Sequence, residues 1–158
     1  MRVFPAAALV LAAAMTSALA ADDALSPQAN AAYLAANAKK PGVTSAQGIQ
    51  YRVIKTGNGK QPDRHECATV YYKGNLINGQ VFDQTQPGSP ATFPVSGVIK
   101  GWTIALQMMH SGDEWELTIP ANLAYGHRGA GGVIPPDQTL VFDVTLLKVS
   151  EPVEGQCS

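Results

Sequence analysis

Between residues 49 and 149 the apolar positions recur with a period of two in one stretch after another. Only once, at Trp102, Ala105, Leu106 and Met109, do they follow the i, i+3, i+4, i+7 spacing of a helix. Few folds satisfy that pattern. Ile49, Tyr51 and Val53 alternate with Gln50 and Arg52, and Val70, Tyr72 and Gly74 open a second run. Trp115, Leu117 and Ile119 alternate with Glu114, Glu116 and Thr118, and Leu140, Phe142, Val144 and Leu146 with Val141, Asp143 and Thr145. Side chains on a strand alternate faces, so such runs offer one dry side and one wetter one. Parallel strands need crossover helices, and no βαβ alternation is present to supply them. The expected class is therefore α+β, an antiparallel sheet wrapped on one short helix.

Turn residues divide the strands. Asn78-Gly79 is the strongest hairpin signal, because both central residues of a type I′ turn need positive φ; it reverses the chain into Gln80-Val81-Phe82-Asp83. Pro87, Gly88, Pro90 and Pro94 make 84–95 a loop or an irregular edge strand. Gly126, Gly129, Gly131, Gly132 and Pro135-Pro136 keep 124–136 out of regular structure.

The domain so defined spans residues 46–150, and residues 151–158 form a tail. Ahead of it, 21–45 reads as a short helical extension: Ser26 as N-cap, Pro27 as first helical residue, Lys39 and Lys40 near its end, Pro41-Gly42 as its stop. Residues 1–20 combine Arg2, an apolar run over 3–15, and Ser17-Ala18-Leu19-Ala20, the layout of a secretory signal peptide cleaved near Ala20. The run is too short to span a bilayer, which takes about 20 apolar residues. The expected product is exported, periplasmic or secreted, with no membrane attachment. An oxidising compartment would allow Cys67 and Cys157 to pair across a separation of 90 residues. The alternative is two unpaired thiols, since sequence spacing says nothing of Cα separation.

Composition removes several function classes. Eleven basic residues against twelve acidic ones leave a net charge of -1, and no basic cluster exceeds Lys39-Lys40. Nucleic-acid binding needs many cation–phosphate contacts and is not expected. His65, Glu66 and Cys67 are consecutive, so on a strand they cannot all face one ion, and His110 and His127 add no ligand spacing. No metal and no cofactor are expected. Ser96 and Ser111 lie in no nucleophile-elbow pattern, which argues against a hydrolase.

Five blocks, in order, carry a resemblance over residues 46–149: Val70-Tyr71-Tyr72-Lys73-Gly74, Asn78-Gly79-Gln80-Val81-Phe82-Asp83, Val98-Ile99-Lys100-Gly101-Trp102, Ala124-Tyr125-Gly126, and Ile134-Pro135-Pro136 followed by Leu140-Val141-Phe142-Asp143-Val144. The chain resembles the FKBP-type peptidyl-prolyl cis-trans isomerases. That likeness implies an antiparallel half-barrel sheet with the helix that begins near Trp102 across its concave face, and a proline-binding pocket between them, with Trp102 as floor and Tyr72, Phe82, Val98, Ile99, Tyr125, Ile134 and Phe142 as walls. It implies hydrogen bonds to substrate from the Ile99 backbone N–H and the Tyr125 hydroxyl, and Asp83 beside the carbonyl that precedes proline. Asp83, Tyr125, Phe142 and Ile99 are thus the catalytic candidates, and proline-containing polypeptides the expected partners. Macrolides of the tacrolimus and rapamycin type are implied as ligands, although Ala91 and Ala130 stand where founding eukaryotic members carry an aromatic residue and a His. Gly129-Ala130-Gly131-Gly132-Val133 is similar to the branch that includes the macrophage infectivity potentiator proteins, as is the stretch 33–43. That branch precedes the stretch with a long dimerisation domain; only about twelve residues separate Ala20 from Tyr33, so a monomer is expected. A chaperone that uses the same pocket to bind rather than to catalyse is the competing reading. Isolated aromatics at these periods would ordinarily be core, and a lone Asp after a hairpin an ordinary turn carboxylate. Only their combination points to a site.

Overall fold

The computed structural model describes residues 24–158, and the segment 1–20 read as a signal peptide lies outside them. Helix α1 (Pro27–Asn37) leads into strands β1 (Val43–Ala46), β2 (Ile49–Lys55), β3 (Cys67–Leu76), β4 (Val81–Gln84) and β5 (Ala91–Pro94). Helix α2 (Lys100–Met108) comes next, then β6 (Glu114–Ile119) and β7 (Leu140–Ser150). Every pairing is antiparallel, in the order β1-β2-β6-β7-β3-β4, with β5 also paired to β3. The α+β expectation holds: an open antiparallel sheet with α2 on one face. Among the described residues no helix is long and apolar enough to cross a membrane, and no cluster of three His, Cys, Asp or Glu residues could hold a metal.

The period-two residues meet the helix stripe as their spacing requires. Ile49, Val70, Leu117, Ile119, Leu140, Val144 and Leu146 form one core with Trp102, Ala105, Leu106 and Met109. Each large side chain so buried contributes about 1.5–3 kcal/mol. Gly101 lets the first turn of α2 approach β6, because a Cβ there would collide with Ile119. Past the helix, the buried carboxylate of Asp113 accepts from the backbone N–H of His110 (2.8 Å) and of Gly57 (2.5 Å), fixing the turn into β6.

Two local expectations are corrected. The Asn78-Gly79 hairpin forms, but only Gly79 has positive φ (88°), and its N–H donates to the Leu76 carbonyl at 2.9 Å. This is a three-residue loop with a glycine bulge, not a type I′ turn. The type I′ pattern lies instead at Gln47 (φ 52°) and Gly48 (φ 87°), which join β1 to β2. The sheet thus begins at Val43, inside the segment read as linker.

Helix α1 lies on the other face of the sheet. Thr118 alternates with Leu117 and Ile119, so it points away from α2, yet it is 1% exposed because α1 covers it. The Asn37 amide donates to Thr118 Oγ1 (3.1 Å) and to Gln50 Oε1 (2.8 Å), and the Gln50 amide donates to the Leu34 carbonyl (2.9 Å).

Cys67 and Cys157 are disulfide-bonded, with Cα atoms 5.5 Å apart. Beside them the buried Glu66 carboxylate pairs with Lys60 and accepts from the Asp63 N–H at 2.9 Å. The Lys60 contact, then the Asp63 N–H, hold this carboxyl below the usual range. A lowered folded-state value stabilises above the unfolded value, about 4.3, and the contribution is lost as pH falls through the folded one. Glu66→Gln is expected to lower Tm at pH 6 and to flatten its decline between pH 5 and 3. Parallel thermal melts would reject the assignment if wild type and variant declined with equal slope.

Candidate active site

Trp102 enters the space between sheet and α2 from the helix's first turns. The helix is placed there by Ile99, whose carbonyl accepts from the N–H groups of Trp102 (3.0 Å) and Thr103 (3.2 Å). Three rings meet the Trp102 indole edge to face: Tyr72 of β3 at 5.2 Å, Phe142 of β7 at 5.3 Å and Phe93 of β5 at 6.0 Å between centroids. Phe82 of β4 meets Phe142 in the same way at 5.5 Å. Such contacts contribute about 0.5–1.5 kcal/mol each beyond burial and leave the rings few alternative positions.

These rings bound a cavity of about 340 Å³, whose remaining lining comes from Asp83, Gly97, Val98, Ile99 and Tyr125. Trp102 is 5% exposed and Phe142 4%, so floor and back wall are shielded from solvent, while Tyr125 at the rim is 42% exposed. The Trp102 Nε1 has no hydrogen-bond partner among the described residues. One carboxylate stands at this apolar hollow. Tyr72 donates its hydroxyl to Asp83 Oδ2 at 2.5 Å, which turns the carboxylate into a fixed orientation. Burial first, then the bond to Asp83, push the Tyr72 phenol far up, so it stays protonated and remains a donor at any ordinary pH.

Strand register explains why these residues converge. Gly74 pairs with Asp83 on one side and with Phe142 on the other. A Cβ on Gly74 would stand 2.5 Å from Phe82 Cζ and 2.8 Å from Phe142 Cε1. The missing side chain is therefore the space in which two walls touch. Gly74→Ala is expected to disrupt the Phe82–Phe142 contact and to weaken binding of a proline-containing peptide at least tenfold, about 1.4 kcal/mol. Equal peptide affinity in titration calorimetry would show that the rings have another arrangement available.

Of the residues expected at the pocket, Tyr72, Phe82, Asp83, Val98, Ile99, Trp102, Tyr125 and Phe142 come together there. Ile134 is 5% exposed within the core and is not among the residues lining the cavity. Phe93 and Gly97 line it, although neither stands out in the sequence. The available signal was positional: Ala91 and Phe93 are two apart on β5 and share a face, so the ring absent at Ala91 has a neighbour at Phe93.

The comparisons with known proteins bear on this geometry. Residues 58–147 match the family described as FKBP-type peptidyl-prolyl cis-trans isomerase. The chain is 56% identical over 119 residues to the FKBP-type 22 kDa peptidyl-prolyl cis-trans isomerase of Escherichia coli K12, covering 74% of this chain and 58% of that one. It is 50% identical over 122 residues to the outer membrane protein MIP of Legionella longbeachae, covering 76% and 52%. The chain thus spans about half the length of the curated relatives it matches. Among solved structures, a peptidyl-prolyl cis-trans isomerase from Pseudomonas syringae pv. tomato superposes with a TM-score of 0.75 at 39% identity, covering 86% of this chain and 100% of that one. FkpA from Escherichia coli gives 0.75 at 41%, covering 78% and 59%. Together with the aromatic cavity, these matches establish that the chain belongs to the FKBP-type peptidyl-prolyl cis-trans isomerase family.

Proposed function

We propose that this chain accelerates cis–trans rotation about X-Pro bonds in exported polypeptides. The observation that carries the reading is the open-mouthed aromatic cavity of about 340 Å³, walled by Tyr72, Phe82, Phe93 and Phe142 over the buried Trp102, which suits a pyrrolidine ring.

No bond is broken in this reaction, so neither a nucleophile nor an acid is needed. The barrier of about 18–20 kcal/mol comes from resonance between the amide nitrogen and the carbonyl. The planar amide is more dipolar than the twisted one and loses more when water is removed, so a dry pocket lowers the barrier. A reduction of about 5 kcal/mol corresponds to several thousandfold in rate. Asp83, oriented by Tyr72, would stand beside the carbonyl preceding proline. The Ile99 N–H, for which no described residue acts as acceptor, and the Tyr125 hydroxyl would bond the flanking carbonyls. These contacts accelerate rotation only where they favour the twisted state over the planar one.

Export to the periplasm or beyond is part of the proposal. The Cys67–Cys157 bond supports it, because such bonds persist in oxidising compartments. Macrolides that fill a proline pocket are proposed ligands of the same cavity. The deciding experiment measures isomerisation of an X-Pro tetrapeptide by protein lacking residues 1–20, with Asp83→Leu beside it. A rate well above the spontaneous one, reduced in Asp83→Leu without change in the circular dichroism spectrum, is expected. A rate equal to the spontaneous one, with the tetrapeptide still bound, would replace the enzyme by a proline-segment-binding chaperone.

A further inference from the structure

Helix α1 buries no apolar residue. Its two buried positions are Asn30 and Asn37, seven apart and therefore on one face, and each amide reaches a different part of the domain. Asn37 binds the back of the sheet at Thr118 and Gln50. Asn30 binds something else.

Its Oδ1 accepts from the buried Thr139 N–H at 2.8 Å, and its Nδ2 donates to Gln138 Oε1 at 3.3 Å and to the Ser26 carbonyl at 2.9 Å. Gln138, 4% exposed, donates in turn to the Pro136 carbonyl at 3.0 Å and to the Leu25 carbonyl at 3.0 Å. Residues 136–139 are one foot of the long loop between β6 and β7. The other arm of that loop carries Tyr125. The arms are tied by the Asp137 N–H to the Gly126 carbonyl (2.9 Å), by His127 Nδ1 to Asp137 Oδ2 (2.9 Å), and farther out by Ala130 to Ile134. Tyr125 is the residue immediately before Gly126, so its backbone adjoins the first of these ties.

We propose that Asn30 is a positioning residue for Tyr125: through Gln138, Pro136 and the Asp137–Gly126 bond, helix α1 holds the rim of the proline pocket. Without the Asn30 amide, the buried Thr139 N–H would have no acceptor, a state folded proteins avoid by shifting the backbone toward another partner. Asp137 has φ 62°, in the left-handed region that Asp tolerates better than most side-chain-bearing residues, and its bonds to Gly126 and His127 fix it there. Relaxation at 136–139 therefore passes to Gly126 and displaces Tyr125, while Trp102, Phe142 and Phe82, held by their own packing, stay in place. A segment outside the pocket thus becomes part of its specificity.

This rests on the isomerase reading, and the experiment separates the two. Steady-state kinetics on an X-Pro tetrapeptide are measured for Asn30→Ala, Tyr125→Phe, the double variant, and Asn37→Ala as the control that removes two of the same helix's hydrogen bonds to the sheet and none to the loop. Asn30→Ala is expected to raise KM about threefold to tenfold, the range of one hydrogen bond's net worth, with kcat nearly unchanged. In the Tyr125→Phe background the same substitution is expected to have a clearly smaller effect, because the hydroxyl it positions is already gone and only the ring remains. Asn37→Ala is expected to lower Tm without moving KM. Equal KM effects of Asn30→Ala in both backgrounds, or a loss of Tm alone, would overturn the proposal. If wild type itself does not accelerate the reaction, the isomerase reading fails. The positioning claim is then decided by the Tyr125 ring resonances in NMR, which must shift in Asn30→Ala and not in Asn37→Ala.

Discussion

Phe142→Ala is expected to lower kcat/KM for an X-Pro tetrapeptide by about a hundredfold or more, some 2.7 kcal/mol of transition-state stabilisation. Phe142 is the one ring that touches both the floor, at 5.3 Å from Trp102, and the outer wall, at 5.5 Å from Phe82. Truncation opens the back of the cavity and unseats Phe82, so water reaches the amide whose desolvation is proposed to drive the reaction. The same change removes a side chain only 4% exposed, at a cost of about 3–5 kcal/mol of stability. Loss of folding and loss of chemistry must therefore be separated. Phe142→Leu does so: it restores most of the volume, keeps the pocket dry, and is expected to retain more than a tenth of the rate. Rates are compared at a temperature where circular dichroism shows all three proteins folded. Full activity in the alanine variant would mean that the reaction does not depend on a closed aromatic wall.

The parts of this fold legible in the sequence are those where burial follows a period. Leu140, Phe142, Val144 and Leu146 could be assigned a shared face without coordinates, and so could Trp102 with Leu106, because alternation and the 3.6-residue turn are local rules. The docking of α1 was not legible. Its contact face is amide rather than apolar, and the partner of Asn30, Gln138, stands 108 positions away. Strand β1 was hidden for a related reason: Val43-Thr44-Ser45-Ala46 has no hydrophobic alternation, and its place in the sheet is set by the Gln47-Gly48 turn. Within the site, Phe93 was obscured by Pro90 and Pro94, which made its strand look irregular, yet β5 keeps ladder register with β3 from Cys67 to Val70. Ile134 shows the converse. A residue in the right motif can be buried in the core without lining the cavity, and no sequence pattern separates those two positions.

The second large effect concerns stability rather than rate. Cys157→Ser is expected to lower the free energy of unfolding by about 4–5 kcal/mol, since the bond joins residues 90 positions apart and cross-linking removes that much loop-closure entropy from the unfolded chain. For a domain of this size the corresponding fall in Tm is about 10–20 °C. The native state has little to lose directly. The tail beyond β7 is held by a turn between Val153 and Gln156, and Val153 is 70% exposed, so few contacts accompany Cys157 into place. The effect must then act through the unfolded state, which sets a kinetic signature: folding slows while unfolding is nearly unchanged. Catalysis at 25 °C is expected to be unaffected, because no residue of the tail that carries Cys157 lines the pocket. Chevron analysis with and without reductant measures both arms. A bond that instead locks the tail in place as a working part of the fold would show itself in faster unfolding, and in a kcat/KM that falls together with Tm.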